Sequence, residues 1–187
     1  MNGYLKSFAP WIAFAAGSAI GDWRYGAAAG LVTGVVVLAQ QRRGHGVELL
    51  TAVTTAFFAV ILPTAITHPN AGIRQYMAAL SLGTLGAAAT ASLIVRKPFT
   101  LAIARQSTPA ELWDHPLFLR VNAVITSVWA ASFVVAAAVC AALAHQYPEV
   151  VPLWVIAQVI GFVVPAYFTR VYPDRVRARL LGPAVAI

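Results

Sequence analysis

Charge is what this sequence lacks most. Of its 187 residues only 10% are Asp, Glu, Lys or Arg, six acidic against 13 basic. A soluble domain carries about 25% charged residues, so a water-facing surface cannot be built from this composition. That excludes a soluble enzyme, a nucleic-acid-binding domain and a disordered tail together. The net charge of +7 does not restore a nucleic-acid partner, because the few charges fall in short clusters between apolar runs and not along one helix face. Cysteine is nearly missing as well. The single Cys140 sits in an alanine-rich run, which leaves no intramolecular disulfide framework and no cysteine cluster with metal-ligand spacing. His45, His68, His115 and His145 all fall at or beyond the ends of apolar runs, poor placement for an axial haem pair between helices. No nucleophile elbow, HExxH, Walker loop, dinucleotide fingerprint or alcohol-phosphatidyltransferase-type pattern occurs. The expectation is a non-enzymatic protein with no catalytic residues, no metal and no cofactor.

What is present is hydrophobicity: 60% of residues are apolar and the mean hydropathy is +0.75. Continuous apolar runs cover residues 8–20, 25–38, 49–66, 73–95, 121–144 and 150–172. These predict an all-α integral membrane protein, a single six-helix transmembrane domain over residues 1–187. The first two runs are short, covering about 21 to 24 Å of a bilayer core about 30 Å thick. They read as a hairpin extended by the interfacial residues Tyr4, Trp11, Trp23 and Tyr25. A cleavable signal peptide is the weaker reading of the first run, since Lys6 alone precedes it and no soluble domain follows.

Six spans would put both termini on one side. That side would carry Lys6, Arg42, Arg43, Arg96, Lys97, Arg105, Arg120, Arg170, Arg175, Arg177 and Arg179, eleven of the 13 basic residues. Only Arg24 and Arg74 would face the other way. By the positive-inside rule both termini are expected in the cytoplasm, with anionic headgroups as lipid partners.

One connection is long. Residues 96–120 are too polar to span and too patterned for a linker, so they are expected to lie along the cytoplasmic interface as a helical elbow. Thr108-Pro109-Ala110-Glu111 has the form of a capping box with proline at the first helical position, and predicts a helix start there. Leu112, Trp113 and Phe118 would anchor the elbow, and Arg96, Lys97, Pro98, Trp113 and Arg120 are its candidate interaction residues. A plain structural joint between spans four and five is the alternative.

The interiors of runs three to six contain no charged residue, which argues against a proton relay, an ion-coupled pump or a buried carboxylate pair. Their polar groups are Thr, Ser, Asn122 and Gln158, suited to helix packing or, alternatively, to a solute path. The exception to the charge rule is Asp22-Trp23-Arg24 between the short spans. It reads either as a polar turn with a local ion pair or as a functional site built on Asp22 and Arg24. Gly26, Gly30 and Gly34 form a glycine-zipper face on the second span, to be packed within the chain or against a second copy. Pro63 and Pro165 fall inside spans three and six, where each removes a backbone donor and a kink is expected.

The order of features resembles the intracellular septation protein A family, the YciB-type inner-membrane proteins of bacteria. The likeness rests on Pro10, on Asp22-Trp23-Arg24-Tyr25-Gly26-Ala27-Ala28 opening the second span, and on Arg96-Lys97-Pro98-Phe99 after the fourth. Pro109, Trp113, Asn122 and Trp129 continue it into the fifth. Asp114 to Phe118 stands as an insertion relative to that pattern. The resemblance implies a small non-enzymatic inner-membrane protein of envelope upkeep and septation, working through contacts with other membrane proteins or itself. A facilitator of a small neutral solute and an accessory subunit of a larger membrane complex are the alternative expectations.

Overall fold

The structure, a computed structural model, describes residues 2–42 and 48–181. Arg43 and His45 lie outside the described residues, as do the side chains of Tyr4, Lys6 and Arg179. The described residues form helices and turns with no strand. In chain order they are α1 Asn2–Ile20, α2 Trp23–Arg42, α3 Leu49–Thr67, α4 Met77–Ile94 after a 3-10 turn at Gly72–Tyr76, α5 Thr100–Arg105, α6 Pro116–Gln146 and α7 Val151–Leu181. A second 3-10 turn, Ala110–Leu112, lies between α5 and α6. Four stretches are long and apolar enough to cross a bilayer: Leu49–Thr67, Gly72–Ile94, Pro116–Gln146 and Val155–Ala178. The apolar part of α1, Phe8–Ile20, is shorter.

The helices outrun the apolar runs, because hydropathy marks only the greasy middle of a helix while backbone hydrogen bonding continues into its polar ends. With 19 residues in α1 and 20 in α2, each is about 30 Å long at 1.5 Å per residue. α6 begins at Pro116, so Arg120 belongs to its first turns and not to a flat elbow. α7 runs on to Leu181, which makes Arg170, Arg175 and Arg177 part of a helix.

Consecutive long helices pack antiparallel, so their ends gather into two groups. At what we call the elbow end lie the close of α2, the start of α3, the close of α4, α5, the start of α6 and the close of α7. The opposite, or turn, end holds the α1–α2, α3–α4 and α6–α7 connections. The core between them is aromatic. Trp129 and Phe133 of α6 meet Phe8 of α1 and Phe162 of α7, with Phe8 stacked on Trp129 at 5.5 Å between ring centres. Trp11 and Phe14 of α1 turn the other way, onto Phe58 of α3. α1 therefore bridges the two halves of the bundle. Three buried or part-buried indoles find acceptors for their N–H: Trp11 donates to Thr54 Oγ1 at 3.1 Å, Trp129 to Thr169 Oγ1 at 2.9 Å and Trp23 to the Pro69 carbonyl at 2.9 Å. A buried indole without one would cost the desolvation of its N–H.

Candidate functional site at the elbow

The elbow starts where α4 stops. Lys97 N–H donates to the Ser92 carbonyl at 2.9 Å and Arg96 N–H to the Leu93 carbonyl at 2.9 Å. This is the pairing of a Schellman motif, whose turning residue adopts the left-handed conformation usually given to glycine. Here that residue is Arg96, at φ 55°. Pro98 follows, buried, and cannot continue a helix. The Phe99 N–H then donates to Ser92 Oγ at 3.2 Å.

Three polar nodes lock what comes next. Thr100, wholly buried, donates to the Asn122 carbonyl at 3.1 Å and lies 2.9 Å from the Thr126 hydroxyl, fixing α5 against α6. Gln106 Nε2 donates to Glu48 Oε1 at 2.8 Å, Glu48 N–H to Gln41 Oε1 at 3.1 Å and Gln41 Nε2 to Thr51 Oγ1 at 2.9 Å. That relay ties the elbow to the α2–α3 junction. Further on, Trp113 donates to the Thr108 carbonyl at 3.0 Å, and the Arg105 guanidinium stands 5.0 Å from the centre of its ring. Arg96, Lys97 and Arg120 stay exposed.

The expected helix start at Thr108-Pro109-Ala110-Glu111 is corrected. Thr108 Oγ1 donates backward to the Ala104 carbonyl at 2.9 Å, at the end of α5, and no side-chain hydrogen bond caps the turn ahead of it. Only the single 3-10 turn Ala110–Leu112 forms there. The cap is found later, at His115, whose Nδ1 accepts the Leu117 N–H at 3.2 Å with Pro116 opening α6.

Between this elbow, the first turns of α6 and the last turns of α7 lies a cavity of about 860 Å³. Ile103, Val121 and Ile125 give it an apolar floor, while His115, Asn122 and Arg177 are among its polar lining.

The other sequence candidates lie elsewhere. Asp22 and Arg24 do meet: Arg24 Nε and Nη2 each lie 3.1 Å from Asp22 Oδ2. Asp22 Oδ1 and the nearby Ser18 hydroxyl are buried and without a hydrogen-bond partner among the described residues. The glycine face is consumed inside the chain, but by two helices. A methyl group on Gly26 would stand 2.6 Å from the Phe14 carbonyl of α1, one on Gly30 2.8 Å from the Phe58 ring and one on Gly34 2.7 Å from Thr55 Oγ1, the last two on α3. The spanning hydroxyls bond back along their own helices: Thr55 to the Thr51 carbonyl, Thr84 to Leu80, Thr90 to Gly86 and Ser127 to Ala123.

Sequence reading missed Glu48, Gln41, Gln106 and Thr100. Glu48 is only 8% exposed, less than Asp22, whose side chain is 25% exposed. A carboxylate directly before an apolar run, with glutamine seven residues upstream, was the one available signal.

Four helices able to cross a bilayer and an all-helical fold mark the chain as a helical membrane protein. Compared with known protein families, curated proteins and solved structures, it matches none.

Proposed function

We propose that this is a non-enzymatic bacterial inner-membrane protein that acts through contacts made at its elbow end. In this reading α1 and α2 also cross the bilayer, making six spans with both termini in the cytoplasm. The observation that carries it is the elbow itself. A mere joint between two spans needs no anchoring to a further helix, yet Gln106 ties residues 92–113 to Glu48 at the start of α3, Ser92 and Thr100 pin them to α4 and α6, and Arg96, Lys97, Glu111 and Leu112 are left exposed. A pre-ordered surface loses little conformational entropy on binding, which is the usual advantage of rigidity in recognition. Described basic residues gathered at this end, such as Arg42, Arg96, Lys97, Arg120 and Arg175, support a cytoplasmic orientation. The resemblance to the septation family makes envelope and division proteins the first partners to look for.

Two observations bear on the rivals. Several hydroxyls of α3, α4 and α6, among them Thr55, Thr84, Thr90 and Ser127, give their protons to their own helix carbonyls and are not free to donate to a solute. The glycine face is occupied by α1 and α3, so a homodimer seam would have to form elsewhere. Purification in mild detergent with mass spectrometry of co-eluting proteins tests the reading. Defined membrane partners are expected, and they should be lost when Arg96 and Lys97 are both changed to Glu. A protein that elutes alone as a monomer would sink it.

A further inference from the structure

We infer that the cavity between the elbow and the end of α7 is a binding site for an anionic phospholipid, its head at the Arg177 side and an acyl chain over the apolar floor. The inference rests on reading the elbow end as the cytoplasmic membrane interface. The volume of about 860 Å³ falls in the range of small-molecule sites, about 300–1,000 Å³. Its chemistry is divided. Ile103 and Ile125 are buried beneath it and, with Val121, offer no hydrogen bond from their side chains.

The polar lining is divided too, between groups already committed and groups still able to donate. Ser107 and Thr108 give their hydroxyl protons to the Ala104 carbonyl, Thr169 to the Pro165 carbonyl, and Asn122 an amide proton to the Phe118 carbonyl. Gln106 gives one to Glu48. His115 is different: because Nδ1 accepts the Leu117 N–H, the neutral ring carries its own proton on Nε2, a donor. Among the described residues Arg177 pairs with Asp174 alone, at 3.7 Å with both side chains over 70% exposed, a pairing too solvated to neutralise it. No described Asp or Glu lines the cavity. Two donors, one cationic, and an apolar floor at a membrane interface fit an anionic phosphate head and a chain.

The test uses the purified, delipidated full chain in mild detergent with no other protein present, so its outcome is independent of partner capture. Native mass spectrometry compares dioleoyl phosphatidylglycerol with dioleoyl phosphatidylcholine, which share chains and differ in the head. A bound phosphatidylglycerol retained about tenfold more strongly is expected. It should fall toward the phosphatidylcholine level in Arg177→Gln, and retention of both lipids should fall in Ser107→Trp, which fills the exposed lip without touching the core. Equal retention of the two lipids would overturn the site. So would phosphatidylglycerol retention that survives Ser107→Trp but is lost when Arg96 and Lys97 become Gln, since that is attraction to the basic surface alone. Displacement by soluble glycerol phosphate at equal concentration would overturn the lipid assignment.

Discussion

The two ends of the bundle solve the same problem, joining antiparallel helices, in opposite ways. At the turn end backbone meets backbone: a methyl group on Gly17 would stand 2.9 Å from the Gly26 Cα, and on Gly26 2.6 Å from the Phe14 carbonyl. At this α1–α2 connection, two residues long, nothing larger than hydrogen fits at those glycines, and Asp22 pairs locally with Arg24 through Oδ2. At the elbow end side chains hold the helices apart. Thr100, Gln106 and Glu48 span between elements, and a cavity lies beside them. Closeness at one end forbids a binding site, and distance at the other permits one.

That contrast can be broken from either side. The largest effect is expected at Gly26→Ala, where the new methyl group would collide with the Phe14 carbonyl and the Ser18 side chain. It should cost about 3 kcal/mol, since overpacking against backbone cannot be relieved by a rotamer change. Unfolding in mixed micelles would measure it, with Gly83→Ala as the reference, because there the nearest atom is Ala137 Cβ at 3.9 Å. Equal stability of the two variants would refute the close-contact account of the turn end.

Next comes Thr100→Val, similar in shape but without the hydroxyl that joins Asn122 and Thr126. A loss of about 1 to 2 kcal/mol is expected, the cost of leaving buried acceptors unpaired. Hydrogen exchange should rise in α5 and the start of α6 and stay unchanged at the α1–α2 turn. Uniform change along the chain would mean the elbow is not a separate anchored unit.

Arg96→Gly should move the other way. A non-glycine residue in the left-handed region costs about 1 to 2 kcal/mol, part of which glycine's greater unfolded-state entropy offsets. A net gain of about 0.5 kcal/mol is expected, together with weaker partner capture if the Arg96 side chain is used in contact. The smallest effect is expected at Asp22→Asn. With Asp22 and Arg24 side chains 25% and 45% exposed, the pair contributes under about 1 kcal/mol. Insertion should be normal, and a loss of function at normal protein level would reopen the turn as a site.

Much of the elbow was out of reach of the sequence for a stated reason. Thr108-Pro109-Ala110-Glu111 has the residues of a capping box, but a cap needs the chain ahead to bring an N–H back to the Thr108 oxygen, and here it makes only one uncapped 3-10 turn while Thr108 is turned to the Ala104 carbonyl. Where Thr108 sits depends on where α5 ends, and that depends on Thr100 docking on α6. The Asp22–Arg24 pair, by contrast, was legible, because residues two apart around a tight turn are neighbours in almost any fold.

By itself the sequence determined the membrane class and the helices, since apolar burial and backbone hydrogen bonding are properties of a segment and its neighbours along the chain. Runs 49–66 and 73–95 correspond to helical stretches of nearly the same bounds. Tertiary structure alone decided that Gly26 faces α1 while Gly30 and Gly34 face α3, that Glu48 is buried against Gln106, and that α7 walls a cavity. Those outcomes depend on how surfaces of distant segments fit. Hydropathy sums greasiness along the chain and carries no record of shape.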